Sequence, residues 1–452
     1  MAEPRSGSPT ETRPGPLDRL LRVFSDVRAG EAGTVLLMTL NLFLLLVGYY
    51  IVKTAREPLI LATGGAELKS YASAGQALTL MGFIPLYSWL SSRVDRMKLI
   101  VILILFFAVN IELFYLGALA GVPYLGVVFF IWVGIFSLAS IAQFWSYGND
   151  LYRREAGERL FPIIVIGQTA GAPLGAKLAE VLFEAGIGAY AMLHITTVLL
   201  VVHLGLYRLV DRREAGRPGQ AQASHQALAA GDGFALVLRS PYLKLVALLL
   251  VLLNTVNTTG EYIIGRTVVE HARAAAAANP AISAEAFIGS FYGNYYFWVN
   301  IATVLIQAFL VSRIVKHLGL AGVLLTLPVV AMGAYGLIGA GAGFAAIRWA
   351  KTAENSTDYS IMNTARQMIW LPTTREEKYK AKQAADTFFV RFGDLLSAGL
   401  VFVGTTWLAL GVRGFAAANL VLVVVWLGVG WLVLREYRTL IRRRAAEAET
   451  AA

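Results

Sequence analysis

The sequence predicts an all-α membrane protein of about twelve transmembrane helices in two six-helix halves, and three observations carry that prediction. Of 452 residues, 57% are hydrophobic and only 15% are charged, a balance that soluble domains of this length do not show. Apolar segments long enough to cross about 30 Å of hydrocarbon recur along the chain. The connections between them alternate between strongly basic and almost bare, as in multi-pass proteins whose cationic loops stay on one side of the membrane. The same composition excludes other classes. There is no cysteine, hence no disulfide framework, thiolate metal site or thiol nucleophile. His194, His203, His225, His271 and His317 lack ligand spacing, so neither a metal nor a cofactor is expected. The net charge of +10 lies in tails and loops beside apolar segments, which points to the lipid bilayer as partner and against nucleic acid. No nucleophile, metal cluster or phosphate loop can be named, so an enzyme is not expected.

Taken in order, residues 1–16, rich in Pro, Ser, Gly and Thr, read as a disordered tail with no signal-peptide core. Over 17–30, the spacing of Leu17, Leu20, Leu21, Phe24 and Val27, with Arg19, Arg22 and Arg28 at polar positions, predicts an amphipathic interfacial helix. The N-terminal bundle, 31–210, holds spans at roughly 34–57, 69–92, 98–120, 123–148, 160–184 and 187–210. Pro58 is expected to end or kink the first of these, because proline disturbs the preceding turn. Near the end of the fourth stand Gln143, Trp145, Ser146, Tyr147, Asn149 and Asp150. Such rings and amides can hold a planar base. Trp and Tyr also mark ordinary membrane interfaces, and that reading is favoured. Gly167, Gly171 and Gly175 in the fifth, each four apart, allow close helix contact. Residues 211–240, with Arg212, Arg213, Arg217, Pro218 and Gly219, form a cytoplasmic linker. The C-terminal bundle, 241–436, follows with spans at roughly 241–266, 287–312, 318–339, 342–371, 383–411 and 413–436. Residues 437–452 are a basic tail carrying Arg442, Arg443 and Arg444.

Orientation follows from the cations. The even connections carry Arg93, Arg96 and Lys98; Arg153, Arg154 and Arg159; Arg208, Arg212 and Arg213; Arg313 and Lys316; and Arg375, Lys378, Lys380 and Lys382. The connections near Ala120, Gly186 and Gly341 are almost bare. Both termini are therefore expected in the cytoplasm, and a bacterial inner membrane and a monomeric state are further expectations. A weak repeat supports two halves: Leu86 to Arg96 and Ile306 to Lys316 each close a span and open a basic loop. Parallel six-span repeats are how major-facilitator transporters are built, with the substrate site at the midplane between them.

Charges inside apolar spans normally face a bundle interior or a watery cavity, so they are the candidate site. The first span holds Lys53, Arg56 and Glu57, with Lys53 and Glu57 able to share a helix face. The alternative is that this span stops at Tyr50 and the charges sit among headgroups. The seventh span holds Asn254, Asn257, Thr258, Thr259, Glu261 and Arg266. Glu261 either meets substrate or forms a structural ion pair between helices. In the tenth, Arg348, Lys351, Asn355, Tyr359, Met362 and Arg366 form one stripe flanked by Glu354 and Asp358. The eleventh adds Asp386, Arg391 and Asp394. A cavity carrying Lys53, Arg56, Lys351 and Arg391 would draw a small anionic substrate, since Arg suits planar phosphate or carboxylate groups. Substrate contacts are expected from Lys53, Arg56, Glu261, Arg266, Lys351, Asn355, Arg366 and Arg391, and a cytoplasmic latch from Arg93, Asp95 and Arg313.

The run Tyr49-Tyr50-Ile51-Val52-Lys53-Thr54-Ala55-Arg56-Glu57, followed by Gly65-Ala66-Glu67, resembles the first-span signature of the ATP/ADP translocase family of nucleotide transporters. Asp358-Tyr359-Ser360, Thr364-Ala365-Arg366-Gln367 and the stretch from Glu377 to Thr387 are similar to its late-helix and loop signature. The likeness runs from about Leu20 to Arg438. It implies a twelve-helix, major-facilitator-like exchanger of nucleotides with charged residues in spans one, four, seven and eleven. The family's first-span lysine falls on Arg56 and its seventh-span glutamate on Glu261. Its fourth-span glutamate falls near Val133, and its eleventh-span lysine near Asp394, with Arg391 one turn earlier. These two departures suit a divergent relative. The expected function is alternating-access transport of an anionic metabolite, foremost a nucleotide in ATP/ADP-type exchange. Proton-coupled transport of another solute stands as an alternative. So does a transport-inactive sensor or assembly protein of the same fold, in which Glu261 and Arg56 would be locked in a closed salt-bridge cluster without a cavity.

Overall fold

The computed structural model describes residues 17, 21, 22, 25–215, 231–374 and 376–451, and the chain is helical almost throughout. The expected tail at 1–16, most of the linker and Arg375 lie outside the described residues. The helices of the first half are α1 (32–64), α2 (66–91), α3 (Arg96–Leu119), α4 (Leu125–Leu151), α5 (Arg154–Glu184) and α6 (Ala189–Glu214). A short α7 (Gly231–Arg239) leads into α8 (Pro241–Ala278), α9 (Ala284–Phe309) and α10 (Val311–Gly339). Next comes α11 (344–368), which contains a π-helical stretch at Asp358–Met362. In α12 (377–406) the stretches Glu377–Ala381 and Ala385–Phe389 are π-helical, and α13 (Val412–Ala451) ends the chain. Among the described residues, eight helical runs are long and apolar enough to cross a membrane, the run Ala32–Ser91 counting as one.

Local sequence accounts for the ends. Ser240 caps α8 by accepting from the Leu243 amide at 3.3 Å, with Pro241 at the first helical position, and Ser283 caps α9 through the Ala286 amide at 3.0 Å. At the bare end, α3, α5 and α10 each stop on an Ala-Gly pair. Gly121, Gly186 and Gly341 adopt positive φ there, and the following amide reaches back five residues, from Val122 to the Gly117 carbonyl at 3.0 Å for example.

The first span differs from expectation in one respect that matters. Pro58 lies within the helix without leaving helical geometry, and the break falls at Gly65, with φ 71° and ψ −172°. A membrane helix tolerates the hydrogen bond that proline removes, whereas the reversal at positive φ needs a residue without Cβ. The knot thus sits within α1, with Glu57 fully buried, and the span does not stop at Tyr50. The interfacial helix expected over 17–30 is also interrupted. Residues 25–31 are not helical, Leu21 and Val27 are buried, and the Ser25 hydroxyl donates to the Arg159 carbonyl at 2.5 Å. This segment is pinned to the start of α5, where Arg159 also pairs with Glu31 at 3.0 Å.

Packing follows small residues. A Cβ at Gly167, Gly171 or Gly175 of α5 would strike the carbonyls of Thr39, Phe43 and Val47 on α1, so those helices touch backbone to backbone. Gly293 of α9 gives the same access to Glu180 of α5. The two halves meet along α5 with α9, α1 with α8, and α2 with α12. Polar ties between them gather at the bare end: Glu285 accepts from the Ala189 amide at 2.9 Å, Asn294 donates to Glu180 at 2.7 Å, and the Tyr262 hydroxyl donates to Glu67 at 2.9 Å. Tyr71 of α2 and Phe402 of α12 meet edge to face there, at 6.4 Å between ring centres.

Candidate functional site

A cavity of about 260 Å³ lies between the halves, and both contribute its walls. The first half supplies Lys53, Arg56, Lys69, Ser70, Gln76 and Phe130, and the second Asn257, Thr258, Glu261, Tyr296, Asn355, Tyr359, Arg391 and Asp394. The volume falls just below the ~300–1,000 Å³ of usual small-molecule sites.

One wall is a chain of alternating charge. Glu57 accepts from Arg56 at 2.6 Å and forms an ion pair with Lys69 at 2.6 Å, and the Tyr296 hydroxyl donates to it from the other half at 3.1 Å. Lys69 also lies 3.7 Å from Glu261, which accepts from Asn355 at 2.9 Å. Asn355 donates in turn to the Tyr295 hydroxyl at 2.8 Å. The chain runs from α1 through α2 to α8 and α11, crossing the boundary between halves. Unpaired, any of these ions would be costly at membrane depth; together they compensate one another. The Gly65 break makes the arrangement possible, because it turns α2 back so that Lys69 faces Glu57 twelve residues earlier.

Lys53 differs from its neighbours. Its ammonium lies 4.4 Å from the Tyr296 ring centre, 5.1 Å from Tyr50 and 5.8 Å from Tyr359. Among the described residues no carboxylate lies within salt-bridge distance of it, so three aromatic faces hold it while it remains open to the cavity. Arg56, besides pairing with Glu57, stacks 4.3 Å from the Phe130 ring centre. On the opposite wall, Asp394 accepts from Asn254 at 2.7 Å and Thr258 at 2.8 Å and lies 3.5 Å from Arg391. This arrangement can hold an anionic group beside Lys53, with rings and amides nearby for a planar or hydroxylated remainder.

Five of the expected contact residues, Lys53, Arg56, Glu261, Asn355 and Arg391, are brought to this cavity; the others are not. Lys351 is buried behind it, bound to Glu354 at 2.7 Å, in space left by the absent side chain of Gly260. Arg266 belongs to the bare end, donating to the Tyr262 hydroxyl at 3.1 Å and the Leu410 carbonyl at 3.0 Å. Arg366 follows the π-helical stretch of α11 and is off the cavity wall. The expected latch is not assembled in this conformation. Arg93 stacks on Trp89 at 4.6 Å, Asp95 pairs with Lys98 at 2.8 Å, and Arg313 donates to the Phe309 carbonyl. Lys98 holds the exposed Asp95 carboxyl below the usual carboxylate range. Glu261 and Arg56 do belong to one charge chain, and the cavity stays open beside them. Sequence reasoning missed Lys69, Gln76 and Tyr296. The signal for Lys69 was a cation just past a Gly-Gly pair, at the edge of an expected span.

Residues 14–120 match the sequence model of the family described as TLC ATP/ADP transporter. ADP,ATP carrier protein 1 of Chlamydia trachomatis is 23% identical over 332 residues, covering 63% of this chain and 60% of the relative. That of Chlamydia pneumoniae is 21% identical over 336 residues, covering 64% and 62%. The chain thus spans less than two thirds of the length of these curated relatives. Among solved structures, the nucleoside transporter NupG aligns with a TM-score of 0.62 at 13% identity, over 89% of this chain and 98% of its own. An auto-inhibited POT family peptide transporter aligns with a TM-score of 0.64 at 10% identity, over 91% and 97%. The structural likenesses fix the major-facilitator-type fold. Over residues 14–120 the chain resembles the TLC ATP/ADP transporter family, and over about 330 residues it resembles the chlamydial carriers.

Proposed function

We propose that this protein is a secondary transporter that exchanges nucleotides, as ATP/ADP-type antiport, by alternating access. The observation that carries the reading is the cation-rich cavity between the two halves, in which Lys53 faces open space with aromatic rings beside it and, among the described residues, no carboxylate in salt-bridge reach. Lys53 and Arg56 would take the phosphate, Tyr359 and Phe130 would flank the base, and Asn257 and Gln76 would offer amides. Arg391 would support the anion from the second half, and Glu261 with Asn355 would report its arrival to Lys69. The protein would act as a monomer without enzymatic activity or a nucleic-acid partner. It would sit in a bacterial inner membrane with both termini cytoplasmic and its basic loops on that side, where Arg93, Asp95 and Arg313 would close a latch in the opposite conformation.

Counterflow in proteoliposomes preloaded with ATP, ADP or AMP tests this. Labelled nucleotide should accumulate only when unlabelled nucleotide is inside, and Lys53→Met should abolish accumulation while leaving the melting temperature nearly unchanged. Uptake that needs no internal nucleotide and follows an imposed pH gradient would replace exchange with proton coupling. No movement of any nucleotide would overturn the proposal.

A further inference from the structure

Lys53 and Glu57 stand four residues apart on α1, a spacing at which opposite charges on one helix face ordinarily meet. Elsewhere in this chain such pairs close with the cation first, as it is here: Lys177 with Glu180 at 2.9 Å, Arg266 with Glu270 at 3.3 Å, and Lys351 with Glu354 at 2.7 Å. Lys53 and Glu57 do not. One residue of the other half, Tyr296 of α9, takes both of them. Its ring centre lies 4.4 Å from the Lys53 ammonium, and its hydroxyl donates to Glu57 Oε1 at 3.1 Å. Tyr296 is itself firmly seated. It is buried, its carbonyl accepts from the Asn300 amide at 2.7 Å, and Asn300 accepts from the Tyr50 hydroxyl of α1 at 3.0 Å. Tyr50, which also faces Lys53, meets the Tyr296 ring edge on at 6.3 Å between centres.

We infer that Tyr296 is the positioning residue that keeps Lys53 available to the anion, its ring holding the ammonium beside the cavity and its hydroxyl occupying the carboxylate oxygen that would otherwise take it. Removing the side chain frees both partners at once: Lys53 loses its nearest ring, and Glu57 loses a donor. Each is then the other's natural replacement, because both project from one face of one helix. A ligand meets only the fraction of molecules in which its binding group is free, so capture of Lys53 weakens apparent affinity in that proportion. The inference rests on the nucleotide-exchange reading, in which Lys53 receives the phosphate, and adds to it a residue that acts through Lys53.

The test is a titration of the purified full-length protein with ADP and with ATP, read as ligand-dependent thermal stabilisation. Tyr296→Phe keeps the ring and should bind both within about twofold of wild type. Tyr296→Met fills much of the space with neither ring nor hydroxyl and should bind both about tenfold more weakly, the effect of leaving Lys53 free about one tenth of the time. Lys53→Met with Tyr296→Met should bind no more weakly than Lys53→Met alone, because the lysine is already withdrawn, whereas a merely structural role for Tyr296 would add its own loss. Wild-type affinity in Tyr296→Met, or losses that add in the double variant, overturns the inference and leaves nucleotide exchange standing. Should Tyr296→Met not fold, Tyr296→Phe still decides, since a loss of about tenfold with the ring in place would overturn the role given to it. Failure of ADP and ATP to stabilise the wild type overturns the exchange reading, and the inference falls with it.

Discussion

Glu57 offers the sharpest test of the charge chain, because its side chain is 0% exposed and holds three donors. Glu57→Gln leaves Arg56 and Lys69 buried without the carboxylate both use at 2.6 Å, with only Glu261, at 3.7 Å, remaining for Lys69. Removing one partner of a buried pair costs about 3–5 kcal/mol. In Lys69→Met, Glu57 keeps Arg56 and Tyr296, and Glu261 keeps Asn355. The same reasoning then gives roughly half the cost, about 2 kcal/mol. The double variant removes one charge of each sign, so adding Lys69→Met to Glu57→Gln should return about 1–3 kcal/mol. At about 2 °C per kcal/mol for a chain of this size, Glu57→Gln should melt about 6–10 °C below wild type, and the double variant several degrees above Glu57→Gln. Thermal unfolding of all four proteins in one detergent measures this cycle. A double variant whose loss equals the sum of the single losses would refute the compensated chain.

Other outcomes follow from the packing and the loops. Gly171→Leu should force α1 from α5 and lower stability by about 1–3 kcal/mol, visible as a lower melting temperature and an aggregated fraction on gel filtration. Lys351→Met should destabilise by about 3–5 kcal/mol by stranding Glu354, with recovery in the double variant Lys351→Met, Glu354→Leu. Whatever protein folds should keep an unchanged KM, because Lys351 is off the cavity wall. At the basic end, Asp95 and Lys98 are each 75% exposed, so Asp95→Asn should lower neutral-pH melting only slightly. Because the folded Asp95 carboxyl titrates below its ordinary value, its small support is present above the unfolded pKa and fades as pH falls through the lowered one. Asp95→Asn should therefore flatten that acid response in a melting-temperature series.

What the sequence disclosed about this fold was disclosed by period and charge. Apolar length marked the helices, and the basic connections near Arg93, Arg153, Arg208 and Arg313 against the bare ones near Ala120 and Gly186 marked the two ends. The four-residue rhythm of Gly167, Gly171 and Gly175 predicted a close helix contact, and α5 makes one with α1. The site was harder to read. Lys53, Arg56 and Glu57 stood out as charges within an apolar run, but Lys69 meets Glu57 only through a break, and no helical period relates residues twelve apart across it. Lys351 shares a stripe with Asn355, yet Glu354 three residues on takes its ammonium, and Gly260 on another helix leaves room for it. Arg366 belonged to the same stripe until the π-helical stretch at Asp358–Met362 intervened. A widened turn rotates every later residue by about 100° relative to an unbroken α-helix. Position along a face is thus readable from sequence only as far as the next irregular turn.

The contact between Lys69 on α2 and Glu261 on α8 has a dynamic meaning beyond its geometry. In the proposed exchange it joins two halves that would part at the bare end for the protein to face the other way, and it does so with opposite charges on the cavity wall. Parting them with the cavity empty would forfeit this attraction and leave Lys69 to Glu57 and Glu261 to Asn355, which would raise the barrier to the idle stroke. In that proposal an arriving anion would offer Lys69 a substitute and leave Glu261 with Asn355, so the barrier would fall when cargo is aboard. A protein working this way would idle poorly and turn over under load, the kinetic asymmetry that separates swapping from leaking.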